Sequence, residues 1–203
     1  KIGLYSADGK IRPFARDSNG FVFGDGGAGI VLEDLEHALK RKARIYGEYL
    51  GGGFSLEGWK VSFPAVTKDY YRKALVDALN RAKISKEEVD LIVPHGVGSN
   101  ITDRFEAKVI SSVFGKDFKR PYITAFKPYI GHNLGGSALV ETAILLLSIN
   151  RNLVPATLNC ENPDPRIDFI PVKQSIKADL DIAVKMACGF AGYNAVAVFS
   201  KFK

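Results

Sequence analysis

The alternation of strand-like and helix-like segments along the 203 residues predicts an α/β fold built around one buried helix. Two observations carry this. Short apolar runs such as Val89–Val93 (VDLIV) alternate with segments whose apolar residues recur every three or four positions. The segment from about Asn133 to Ile149 has helical length and is apolar on every side, which predicts a core helix. With 46% hydrophobic and 25% charged residues, the chain reads as one globular unit over residues 1–203.

In order along the chain, Gly27–Glu33 (GAGIVLE) reads as a strand, Asp34 to Arg41 as a short polar helix, and Ala43–Gly51 as a second strand. Tyr70–Ala82 places Leu75, Val76, Ala78 and Leu79 at a period near 3.6, predicting a helix. Ser85 with Glu88 three residues on forms a capping-box start. Val89–Val93 is then a buried strand, Asp103–Phe114 a helix, Tyr122–Phe126 a strand and Asn133–Ile149 the core helix. Ile182 to Phe199 reads as two strands around the glycine-rich turn Gly189–Asn194.

Composition excludes several classes of protein. Ala138–Ile149 is too short to span a bilayer and is interrupted by Glu141, Thr142 and Ser148. Cys160 and Cys188 stand far apart without CxxC spacing, which argues against a disulfide framework or a zinc site and for a reducing, cytoplasmic setting. No metal is expected. The net charge of +6 is spread over groups such as Arg41, Lys42, Arg44 and Lys116, Lys119, Arg120, with no block marking a nucleic-acid tail. An acidic protein is the partner such a surface favours. The sole methionine is Met186 and the chain opens on strand-like residues, so the expectation is a piece of something longer.

Three segments could carry chemistry, each placing glycine beside polar residues after a buried strand, where backbone can approach a ligand closely. In Pro94–Glu106 (PHGVGSNITDRFE), His95 follows VDLIV, and such a histidine serves structure as readily as catalysis. In Phe126–Glu141, His132 lies at the start of the core helix, whose macrodipole lowers the pKa of an imidazole and keeps it a neutral donor. Lys127 would push the same way. Glu141, inside an apolar helix, requires a partner, and Lys127 is the candidate, in a pair that is structural or catalytic. In Ala187–Phe199, Phe190 either lines an apolar tunnel or packs a hairpin, and physics alone favours the hairpin.

At this point the residues resemble a known family. His95-Gly-x-Gly with Asp103 and Glu106 following, and Lys127-xxx-Gly131-His132-xx-Gly135 with Glu141, are similar to motifs of the β-ketoacyl synthases. Arg12–Gly29 (RPF…GFVFGDGGAG), Pro155–Pro165 (PATLN…NPDP) and Gly189–Asn194 (GFAGYN) match in the same order. The resemblance covers the whole chain and implies the carboxy-terminal half of a thiolase-like fold, a mixed sheet with a buried central helix.

The resemblance further implies a decarboxylating condensation of acyl and malonyl thioesters, in fatty acid or polyketide synthesis. The nucleophilic cysteine would lie in an absent amino-terminal half or subunit. His95 and His132 would hold the malonyl thioester oxygen, Lys127 would orient them, Glu141 would hold Lys127, and Phe190 would gate the acyl pocket within the turn bounded by Gly189 and Gly192. Ser99 would keep one of two hydroxyls that meet pantetheine, Val97 replacing the other. No resident cofactor is implied, since acyl carrier protein delivers the phosphopantetheine arm, and a dimer of full units is expected. The rival reading is a non-catalytic partner resembling a chain-length factor, although such partners tend to lose the His/His/Lys set. A thiolase-type site is disfavoured because Gly189 and Phe190 offer no second cysteine. Cys160 and Cys188 read as ordinary small buried residues.

Overall fold

The computed structural model describes residues 4–58, 69–116 and 118–203. Its elements are α1 (Leu35–Lys40), β1 (Glu48–Leu56), α2 (Asp69–Ala82), β2 (Leu91–Val93), α3 (Asn100–Phe114), β3 (Tyr122–Ile123), α4 (Lys127–Ile130), α5 (Ser137–Arg151), β4 (Leu153–Val154), β5 (Ile176–Lys177), β6 (Ile182–Cys188) and β7 (Tyr193–Ser200). Five strands form one mixed sheet in the order β1-β7-β6-β2-β3, and β4 and β5 form a small ladder apart from it. The β1–β7 and β7–β6 pairs are antiparallel, whereas β6–β2 and β2–β3 are parallel.

Strand periodicity divides the core in two. On one face Val184 and Met186 of β6 and Ile92 of β2 pack with Ala74, Leu75 and Ala78 of α2 and Ile110 of α3. On the other, Ala183, Leu91 and Val93 pack with Leu145 and Ile149 of α5. Each fully buried branched side chain here contributes about 1.5–3 kcal/mol. The seating of α2 on β1 depends on glycine: a Cβ at Gly53 would lie 1.9 Å from the Ala74 carbonyl oxygen, and one at Gly51 would lie 2.7 Å from the Ala82 nitrogen.

Several expected elements are displaced. Gly27–Glu33 is not a strand; it finds no ladder partner among the described residues, and Val31 and Leu32 are largely exposed. Apolar alternation reports which side chains seek burial, not whether a neighbouring backbone is there to pair. The strand expected over Ala43–Gly51 runs instead from Glu48 to Leu56, because the glycines that weaken its propensity are what α2 needs. β3 stops at Ile123, short of Phe126. The core helix begins at Ser137 rather than Asn133, with a 3₁₀ turn, Leu134–Gly136, before it. Nor is it buried all round: Leu139 and Leu147 are exposed on its outer side. Ser85 does head a 3₁₀ turn, its N–H donating to the Glu88 carboxylate at 2.7 Å.

Candidate active site

His95 leaves the end of β2 on a loop that the first turns of α3 hold in shape. Glu106, fully buried, accepts the N–H groups of His95 at 2.7 Å and Gly96 at 2.9 Å, and also the Tyr71 hydroxyl at 2.9 Å. Asp103 accepts Val97 N–H at 3.1 Å and Phe14 N–H at 2.9 Å. Gly96 and Gly98 have φ of +47° and +78°, the left-handed region in which glycine meets no Cβ penalty. Two carboxylates on one helix thus absorb the donors of a tight turn and fix the backbone from which the imidazole projects.

His132 arrives from the opposite direction. Its N–H donates to Val22 O at 2.8 Å, its carbonyl accepts Gly24 N–H at 3.2 Å, and its ring meets Phe21 edge-on at 4.9 Å. The close crossing of Gly131 over Gly24 leaves no room for a Cβ, which would lie 2.5 Å from the Gly24 Cα. Nδ1 lies 2.9 Å from the Ser137 hydroxyl, the first residue of α5. The two imidazoles stand 5.4 Å apart, edge to face at 81°.

Behind them Lys127, completely buried, pairs with Glu141 at 2.7 Å and donates to the His95 carbonyl at 2.5 Å. Pro128 stands in the first turn of α4, where its missing N–H costs nothing. Burial pushes the His95 imidazole well below its ordinary pKa, with Lys127 adding to the effect. His132 is held at about 4 for the same two reasons, Glu141 pulling the other way. Burial is therefore the main cause of neutrality, ahead of the helix start that the sequence suggests. Glu141 itself is raised by burial, but Lys185 and Lys127 outweigh this and hold it below the ordinary carboxylate range.

His95, His132 and Glu141 line one cavity of about 350 Å³, together with Ser99, Gly189 and Phe190. Phe190 is half exposed on its wall. Gly192 does not reach the cavity; with φ of +76° it closes the turn against the Glu57 side chain. Ala191 adopts φ of +61° in the same turn, where glycine would be easier.

Two contributors escaped the sequence reading. Cys188, the last residue of β6, is not an ordinary buried residue: it is only partly buried and lies on the cavity wall. Its thiol is pushed well up by burial, as Cys160 is to about 12, so neither is a ready thiolate. Lys185, in the middle of β6, is the other. Its one signal was a single lysine inside the apolar run IAVKMAC.

Residues 46–161, more than half the chain, match the family model described as Beta-ketoacyl synthase, C-terminal domain. The chain belongs to the β-ketoacyl synthase family. Residues 1–38 match the model for the N-terminal domain of the β-ketoacyl synthases. The chain is 35% identical over 94% of its residues to 3-oxoacyl-[acyl-carrier-protein] synthase 2 of Coxiella burnetii, covering 46% of that protein. It is 34% identical over 95% to the synthase 2 of Synechocystis sp., again covering 46%. Among solved structures, the ishigamide ketosynthase/chain length factor matches with a TM-score of 0.93 at 32% identity, over 100% of this chain and 49% of that one. A type II polyketide-synthase acyl carrier protein in complex with its ketosynthase matches at 0.90 and 28% identity, over 96% and 48%. The fold is the thiolase-like fold of ketosynthases, and the chain spans about half the length of the relatives it matches.

Proposed function

We propose that this chain supplies the His95, His132, Lys127 and Glu141 half of a condensing site that joins acyl and malonyl thioesters into a β-ketoacyl thioester. The observation that carries the reading is the pair of neutral imidazoles facing one cavity, backed by a buried lysine–glutamate pair. The Ser137 hydroxyl stands 2.9 Å from His132 Nδ1, and by donating there it would leave the ring proton on Nε2 as the donor this reading requires.

The chemistry follows from that arrangement. When the malonyl C–C bond to the carboxylate breaks, its electron pair moves toward the thioester carbonyl, whose oxygen becomes negative, and carbon dioxide leaves. Two donors fixed near that oxygen stabilise the enolate without reorganising, an effect worth roughly 10²–10³ in rate per donor. The enolate carbon then attacks an acyl thioester on a cysteine that another half supplies, expelling its thiolate. Ser99 would meet the pantetheine arm carried by acyl carrier protein, and Phe190 would cover the acyl pocket. The exposed apolar residues Val31, Leu32, Leu35, Leu39, Leu139 and Leu147 support a covering half, since monomers rarely leave such a surface to water.

The test is product formation by the complete synthase, this chain with a cysteine-bearing half, given an acyl donor and malonyl carrier protein. A β-ketoacyl product that is lost on His95→Ala supports the reading. Unchanged product formation in His95→Ala would favour instead a chain-length-factor-like partner role.

A further inference from the structure

Lys185 sits at the centre of the sheet, 3% exposed, on the β6 face that packs toward α5. A strand buried on both faces needs no lysine to fold, and burying an ammonium is costly unless its partners are well placed. Its partners are specific. Nζ lies 2.6 Å from Glu141 Oε2 while Lys127 holds Oε1 of the same carboxylate at 2.7 Å. It also donates to Met186 O at 2.6 Å and to Pro94 O at 3.1 Å. Lys127 donates to the next carbonyl, that of His95. One carboxylate thus bridges two ammonium groups that grip successive carbonyls of the His95 loop. Lys185 does not line the cavity, so it cannot meet substrate itself.

We propose that Lys185 is a second positioning cation of the site, fixing the His95 loop through Pro94 and Glu141 and adding positive potential against both imidazoles. The inference rests on the condensing role assigned to those imidazoles. The charged and titratable groups around it are Glu141 on α5, Lys127 on α4, Glu106 on α3, Cys188 on its own strand, and the two histidines. Two lysines share Glu141; burial lowers Lys185 below its ordinary pKa, and the Glu141 carboxylate at 2.6 Å opposes this and favours the ammonium. Burial and Lys127 depress both histidines most, and Lys185 acts in the same direction on each.

The test titrates ¹⁵N-labelled histidines by NMR in the complete synthase, comparing wild type with Lys185→Met, Lys185→Gln and Lys185→Arg. Removing a cation near an imidazole favours its protonated form. In the Met and Gln variants His132 should bind protons several-fold more tightly, on the order of threefold to tenfold, and kcat should fall with little change in KM. Arg, which keeps the charge, should restore the wild-type midpoint. Midpoints unchanged in a folded Met or Gln variant would overturn the proposal, as would the failure of both neutral variants to fold, which would make Lys185 purely structural. The titration needs no turnover, so a wild-type synthase that released no carbon dioxide would strike the functional reading and leave this one to be decided.

Discussion

At the scale of single residues the proposed condensation requires an uncharged His132, and the sign of that requirement is open to measurement. An unfolded histidine titrates near its ordinary 6.5, whereas burial, then Lys127, hold His132 at about 4 in the fold. A depressed pKa means that the neutral ring's contribution to stability is whole above the unfolded value and is lost as pH falls from 6.5 through about 4. The donor is present over the same range. A ¹⁵N NMR titration of His132 in the complete synthase should therefore give a midpoint near 4, well below that of Asp103, which burial raises to about 7. A His132 midpoint near 6.5 would show that the ring is not shielded as described.

Among the elements, the seating of α2 on β1 is the most sharply determined. Gly53→Ala would drive a methyl into the Ala74 carbonyl, which lies 1.9 Å from the required position. The expected cost is about 1–3 kcal/mol. That corresponds to a loss of roughly 2–4 °C in Tm per kcal/mol for a chain of this size. Gly27→Ala, where a Cβ meets nothing within 4 Å, is the control and should leave Tm unchanged. Thermal unfolding of the two variants decides, and equal Tm values would contradict the packing.

These same elements mark what the sequence makes legible. The helix read over Tyr70–Ala82 from a local period that needs no knowledge of neighbours is found at Asp69–Ala82, and the one read over Asp103–Phe114 begins three residues earlier, at Asn100. His95, His132, Lys127 and Glu141 are visible because motif spacing and the need to pair a buried carboxylate both point at them. Strand pairing is not local, so the alternation in Gly27–Glu33 does not make a strand, and β1 lies at Glu48–Leu56 rather than at Ala43–Gly51. Lys185 and Cys188 stayed hidden because nothing in IAVKMAC tells which face of a strand meets which helix.

For the whole molecule, one chain carries two partly buried histidines on one cavity, a bridged lysine–glutamate cluster and an exposed apolar surface, at about half the length of its relatives. Three of the cations considered for carrier-protein docking are engaged within the chain: Arg41 with Glu33, Lys116 with Asp168 and Arg120 with Asp90. The central claim is that this half stabilises the enolate while another half carries the acyl group. Single-turnover analysis of the complete synthase bearing His132→Ala separates the two, following labelled acyl-enzyme formation and carbon dioxide release from malonyl carrier protein in one experiment. Acyl transfer should persist while decarboxylation falls by roughly 10²–10³. Carbon dioxide release at the wild-type rate would contradict the account.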